Sequence, residues 1–225
     1  MNKFSKLTHN WLAKKIQLDL VKKSSLLLNG IVADLGCGTR PYESIILERA
    51  NTYYGIDWPN TLHRFQSDIG ADLSKELPIK STSIDNLVCF EVLEHLPEPY
   101  LLISEAFRIL KPNGKIIIST PFQWREHEQP WDYYRYTRYG LEYLLSKAGF
   151  TNIYISAKSG FWVMWILKLN YHLTLLIRGP RFMRKTIQMC LIPIWWTGQI
   201  VAPLLDGIFG GSDESIGYFA IAEKP

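Results

Sequence analysis

The chain has little cysteine: Cys37, Cys89 and Cys190 are the only three among 225 residues. An odd, scattered set with no paired spacing excludes a disulfide framework and a cysteine-ligated metal centre, and it points to a reducing, cytoplasmic compartment. A strong excess of one charge is also missing. Lys and Arg number 25 against 21 Asp and Glu, a net charge of +4, so nucleic acid is not expected as a partner. No internal repeat or low-complexity tract is present. The Leu26-Leu27-Leu28 cluster is too short for a secretion leader. A third glycine is lacking as well. After Gly36 and Gly38, the sixth position of a dinucleotide G-x-G-x-x-G fingerprint is Pro41, so that fingerprint fails.

What is present suits one enzyme-sized domain over residues 1–225, since 47% hydrophobic residues can bury a full core. Ile31–Leu35 reads as a buried strand that breaks into the glycine turn Gly36-Cys37-Gly38, with a helix expected after Pro41. Further strands are expected to end at Asp57, near Arg64–Ser67, and over Asn86–Phe90, Lys115–Ser119, Ile153–Ala157 and Ile216–Ala222. Helices are expected over residues 8–28 (a basic segment within 1–29), Glu98–Leu110, stopped by Lys111–Gly114, and Arg138–Ala148, capped by Thr137 and ended by Gly149. Strands alternating with helices predict an α/β fold with a mostly parallel sheet.

Carboxylates recur at the carboxyl ends of these strands, where ligands bind in open α/β sheets. Asp57 follows Gly36 by 21 positions, and a carboxylate offers two acceptor oxygens to vicinal hydroxyls. The acid–apolar pair Asp72-Leu73 follows, then Phe90-Glu91 after the next strand. In this order the sequence resembles the class I S-adenosylmethionine (SAM) methyltransferases, whose first motif is acidic-x-Gly-x-Gly-x-Gly. Here it runs Asp34-x-Gly36-x-Gly38-x-Arg40, so Arg40 stands in the third-glycine slot and a bulkier pocket rim is expected. The resemblance covers residues 28–157 and the last strand. It implies a Rossmann-like seven-stranded sheet whose antiparallel last strand lies between strands 5 and 6. It also implies SAM as cofactor, held by Asp34, Gly36, Cys37, Gly38, Arg40, Asp57, Trp58, Asp72, Leu73, Phe90 and Glu91.

In such a reaction the protein aligns the acceptor and removes its proton, which calls for a general base. Of five histidines, His95 and His127 follow strands at their carboxyl ends. His9 and His63 are expected outside the pocket, and His172 sits in an apolar segment. Residues 121–137 are dense in polar and aromatic side chains. His127, Asp132, Tyr133 and Arg135 offer a base, an orienting acid, a phenol and an anion clamp, and His95 joins them as a candidate catalytic residue. This segment resembles a bacterial methyltransferase group linked to envelope glycan or lipid modification. If Glu91 onward were helical, Glu91, Glu94 and His95 would share one face. That stretch resembles the Glu-x-x-Glu-His segment of quinone-biosynthesis O-methyltransferases, with which a metal is associated. The alternative is a loop that shapes the cofactor pocket, and no metal is expected.

Residues 160–210 form an apolar helical insertion. Thr186–Leu205 is 20 residues without a charge, preceded by a basic break at Arg178–Lys185. A single crossing would not let the last strand return to the sheet, and a two-crossing hairpin would place Lys168 and His172 in lipid, so a monotopic helix at the membrane surface is expected, joined electrostatically by the lysines of the first helix. A soluble lid or a dimer interface is the competing reading. Together these features predict a SAM-dependent methyltransferase of a small-molecule or lipid-linked acceptor, acting at oxygen, cytoplasmic and peripheral on the inner membrane face. A quinone-ring O-methyltransferase and a non-catalytic SAM-binding module are the alternatives.

Overall fold

The computed structural model describes residues 5–59, 66–211 and 213–225. The chain forms two compact units. The larger comprises residues 20–122, 126–156 and 217–225, and the smaller comprises residues 1–19, 123–125 and 157–216.

The larger unit is built on a seven-stranded sheet. In chain order its elements are β1 (Ile31–Leu35), α2 (Glu43–Ile46), β2 (Thr52–Asp57), β3 (Ile69–Gly70), β4 (Ile84–Phe90), α3 (Pro99–Ile109), β5 (Leu110–Pro121), α4 (Arg138–Lys147), β6 (Thr151–Ala157) and β7 (Gly217–Glu223). Helix α1 (Trp11–Ser25) precedes them and runs from the smaller unit into the larger. The strand order is β3-β2-β1-β4-β5-β7-β6, with β1, β2, β3, β4 and β5 parallel and β7 antiparallel to β5. This is the Rossmann-like architecture that the sequence resemblance implies, with the last strand inserted between β5 and β6.

The central strands are apolar on both faces, as a covered parallel sheet requires. Val32, Leu35, Ile56, Leu87, Val88 and Ile117 are fully buried. Helix α3 contributes Leu102, Ile103, Ala106 and Ile109, at helical spacing, to the same core. Thr137 caps α4 by accepting the Gly140 N–H at 3.1 Å.

The helix expected after Pro41 is α2, a single turn. Two boundaries differ from expectation. The segment Lys111–Gly114 does end α3, yet β5 already begins at Leu110. Pairing with Ile84 across an irregular register, and the bond from Asn113 N–H to Lys224 C=O, recruit this turn into the sheet edge. The expected strand near Arg64–Ser67 falls partly on residues 60–65, as does His63, and these lie outside the described residues. The strand in that region is β3, at Ile69–Gly70.

The smaller unit contains α5 (Phe161–Leu173) and α6 (Arg181–Phe209). Leu12 from the start of α1, Val163, Met164 and Leu167 from α5, and Ala202 from α6 form its core, with Trp124 and Trp162 against them. Two polar contacts lock it. The Gln199 amide on α6 is buried. It accepts the Leu12 N–H at 2.8 Å and donates to Thr8 C=O at 2.9 Å. The Asp206 carboxylate accepts the Gly160, Trp162 and Val163 N–H groups at 2.9, 2.8 and 3.4 Å, so a residue of α6 caps the amino end of α5.

Candidate functional site

Strands β1, β2 and β4 all end at one edge of the larger unit, and the loops that follow them enclose a cavity of about 590 Å³. That volume lies within the range of small-molecule sites, roughly 300–1,000 Å³.

The glycine turn after β1 forms one wall. The Gly36 and Cys37 N–H groups both donate to Ile56 C=O, at 2.8 and 3.1 Å, which ties the turn to β2. Gly36 has φ +79°, and a Cβ there would sit 2.4 Å from a methyl of Val92, so only glycine fits. Gly38 has φ +53° and no atom within 4 Å of where its Cβ would lie. It leaves open space at the cavity wall, the kind of close approach a cofactor uses. Arg40 holds a left-handed φ of 57° without being glycine, which costs about 1–2 kcal/mol. Its guanidinium pairs with Glu43 at 2.7 Å and Asp68 at 2.8 Å and lies over the Tyr53 ring. These contacts draw the side chain away from the cavity, so the bulkier rim expected from Arg40 is not formed.

Asp57, at the end of β2, accepts the Gly38 N–H at 2.7 Å and the Trp58 N–H at 2.7 Å, one on each oxygen. A carboxylate oxygen has two lone pairs, so both retain capacity toward vicinal hydroxyls. Asp34 is buried at 2% exposure and accepts the Tyr53 hydroxyl at 2.6 Å. Burial pushes its carboxyl up to about 7; the Tyr53 bond opposes this, and Asp57 adds to it. Burial and Asp34 likewise raise the Cys37 thiol to about 12, so Cys37 lines the wall as a neutral group. Asp72 accepts the Ser74 N–H, and this bond, with Lys75 nearby, keeps it charged. Leu73, Phe90, Glu91 and Trp58 complete the set that the sequence nominated on this wall. Tyr42, Val92 and Trp131 line it too and were not nominated. Tyr42 stands edge-on to Phe90 at 5.5 Å, and its position directly after Pro41 was the available signal.

At the other end, the segment after β4 and the loop after β5 are laced together. Tyr133 and Tyr134 N–H groups donate to Glu94 C=O at 2.8 and 3.3 Å, the Tyr136 hydroxyl donates to Leu93 C=O at 3.0 Å, and His95 Nδ1 lies 2.5 Å from Trp131 C=O. This brings His95 and His127 edge to face, with ring centres 4.9 Å apart. His95 and Tyr133 line the cavity, whereas His127, Asp132 and Arg135 stand behind it. Asp132 is clamped by both Arg135 nitrogens at 2.6 and 2.7 Å and accepts the His127 backbone N–H at 2.8 Å. The Arg135 hydrogen bonds hold its carboxyl well below the usual range. Asp132 Oδ2 lies 3.3 Å from His127 Nδ1.

Trp131 C=O can only accept, so His95 donates to it from Nδ1, whereas His127 Nδ1 lies near the Asp132 carboxylate without a hydrogen bond to it. Both Nε2 atoms converge on the fully buried Glu94, at 3.7 Å from His95 and 4.0 Å from His127. Glu94, His95 and His127 each offer one ligand atom, all within 4.8 Å of one another. The expected face of Glu91, Glu94 and His95 is not formed. Leu93–His95 is a single 3-10 turn, and Glu91, at φ 55°, lies before it.

Residues 9–155 match the family model described as "Methyltransferase domain". A ubiquinone biosynthesis O-methyltransferase of Pseudomonas fluorescens is 27% identical over 143 residues, covering 52% of this chain and 60% of the relative. The chain therefore spans somewhat under two thirds of that relative's length. Among solved structures, the [4+2]-cyclase SpnF superposes with a TM-score of 0.61 at 20% identity, over 96% of this chain and 82% of that one. A SAM-dependent methyltransferase from Archaeoglobus fulgidus gives 0.57 at 16% identity, over 95% and 92%.

Proposed function

This chain belongs to the methyltransferase domain family, and from that premise we propose that it is a SAM-dependent O-methyltransferase of a lipid-linked acceptor. The observation that carries the reading is the single cavity joining two chemistries. One end presents the open Gly38 wall, Asp57 and the Asp72-Leu73 pair, and the other presents His95 and Tyr133 with His127 behind. Bound SAM supplies a methyl group on a positively charged sulfur, already activated for displacement. The rest falls to the chain. Asp57 holds hydroxyls, Asp72 stays ionised at the cavity wall, and Trp58 and Trp131, edge-on at 6.0 Å, shield the mouth from water. His95, which lines the cavity, is the candidate base for the acceptor proton, and buried Glu94 and His127 stand beside its ring to stabilise the charge it gains.

Titration calorimetry with SAM and S-adenosylhomocysteine tests the cofactor half, and an absence of binding to folded protein would refute it. Transfer of a radiolabelled methyl from SAM into a bacterial membrane lipid extract tests the reaction. His127→Ala is expected to lower turnover by about 10²–10⁴ while leaving SAM affinity unchanged. An unchanged rate would remove His127 from the reaction, whereas a biological role that survives His127→Ala with no methyl transfer in the parent would favour a non-catalytic SAM-binding module. Binding without methyl transfer would favour other chemistry on this fold, as in the cyclase SpnF.

One observation favours a second reading, a quinone-ring O-methyltransferase assisted by a divalent cation. Two imidazoles and a carboxylate whose ligand atoms lie within 4.8 Å of one another suit a metal ion, and His95 Nδ1 rests on the Trp131 carbonyl as in metal-ligating histidines. The ubiquinone O-methyltransferase relative fits this acceptor class. Activity lost to EDTA and restored by Mn²⁺ or Zn²⁺ would select it, and full activity in EDTA would reject it.

A further inference from the structure

Helix α6 is amphipathic the wrong way round for a helix in water. Its polar residues Gln199 and Asp206 face inward, on the side that carries Leu191, Trp195 and Ala202. Its outward side presents Met189, Ile194, Trp196, Val201, Leu204 and Ile208 to solvent, with Met189 at 70% and Ile208 at 73% exposure. A surface helix normally puts charge there, and an apolar stripe this long marks an interaction surface. Among the described residues this is also the one helix long and apolar enough to cross a membrane.

Charge identifies the occupant. Residues 157–209 hold six basic side chains, Lys158, Lys168, Arg178, Arg181, Arg184 and Lys185, against one acid, Asp206. That acid is consumed in capping α5. The four arginine and lysine residues at the start of α6 and just before it are all exposed. A basic cluster at one end of an exposed apolar stripe that includes tryptophan matches an anionic lipid surface. A protein partner would not by itself require this excess of positive charge.

The geometry also chooses between lying on the bilayer and crossing it. Gln199, near the middle of α6, is bonded to Leu12 and Thr8, and Trp195 and Ala202 on the same side are buried against protein. One long side of the helix is therefore covered by polar-tethered chain while the other is bare. On α5, Lys168 donates to the Gln123 side chain at 2.7 Å, and this too has no place in hydrocarbon. We infer that α6 docks this protein monotopically on anionic membranes, with its axis in the plane of the headgroups, its apolar side down and the Arg178–Lys185 cluster drawing its amino end electrostatically to the anionic surface. The inference does not depend on the methyltransferase reading.

Sedimentation with phosphatidylglycerol and phosphatidylcholine vesicles tests it. The full chain is expected to bind the anionic vesicles, to leave them in 0.5 M NaCl or alkaline carbonate, and to show a blue shift of Trp196 emission on binding. Arg181→Glu with Arg184→Glu and Lys185→Glu should weaken partitioning more than tenfold. Leu204→Gln with Ile208→Gln, at exposed positions that leave the fold intact, should do the same. Circular dichroism and SAM calorimetry on the same samples separate lost docking from lost folding or a lost cofactor site. Failure to bind, or variants that bind as well as the parent, would overturn the inference. So would a stable dimer in light scattering that the Leu204/Ile208 changes dissociate, since the stripe would then be a self-association face. Resistance to carbonate would overturn it in favour of a spanning helix.

Discussion

Replacing Asp34 by Asn tests the interior of the cofactor wall quantitatively. The carboxyl is 2% exposed, it accepts a hydrogen bond from the Tyr53 hydroxyl, and burial raises it from 3.8 to about 7 in the folded protein. A carboxyl raised on folding binds its proton more tightly in the native than in the unfolded chain. Between pH 4 and pH 7 the native state therefore holds more protons, and stability falls as pH rises. Below about 4 the Asp34 contribution is fully present, and above about 7 it is gone. Roughly three pH units at 1.36 kcal/mol each give about 4 kcal/mol for the whole change. Asparagine cannot ionise, keeps an acceptor for Tyr53 and matches the shape. Urea unfolding of cofactor-free parent and Asp34→Asn, from pH 4 to pH 8.5, reads the effect as a difference. The other carboxylates cancel in it. The variant should gain on the parent by about 4 kcal/mol across that range, roughly 10 °C in Tm for a chain of this size. Parallel stability curves, or a variant that loses ground as pH rises, would refute the reasoning that Asp34 is buried as an acid with a raised pKa.

Gly36→Ala should destabilise by about 2–4 kcal/mol, since its Cβ would meet Val92 at 2.4 Å in a left-handed backbone. Val92→Ala in the same chain should recover part of this in thermal melts, and full additivity of the two changes would show the clash is not what excludes a side chain. Asp206→Ala removes the acceptor for three N–H groups and should cost about 1–2 kcal/mol. Hydrogen exchange should accelerate at Gly160, Trp162 and Val163 and not in β1 or β4, and uniform acceleration would argue against a local cap.

The place of the last strand came from the methyltransferase resemblance, whereas the pattern of strands and the acids at their ends were legible from short-range alternation and one recurring motif. Asp57 and Asp72-Leu73 reached the cavity for that reason. What was not legible depends on side chains separated in sequence. Arg40 could have faced the cavity or an acid, and Asp68, 28 residues on, decided it. Glu94 looked like one of a helical trio with Glu91. The hydrogen bonds from the 133–136 segment to residues 93–94 instead turned it toward His127, across a sequence gap that no periodicity spans. The inward Gln199 was hidden because an uncharged run of 20 residues reads the same whichever side it buries.

The position of β7 has a consequence for how the protein is made. Its partners Leu110–Pro121 and Thr151–Ala157 leave the ribosome about a hundred and about sixty residues earlier. Until β7 arrives, β5 ends the nascent sheet as an open edge with the apolar run Ile116–Ile118 within it, and β6 has no neighbour to pair with. At roughly 5–20 residues per second, synthesis of the α5–α6 segment keeps that edge open for about 3–12 s. During that interval the chain emits its own most lipophilic helix beside an unfinished sheet. On the docking inferred for α6, prompt adsorption to an anionic surface would take that segment out of competition for the open β5 edge.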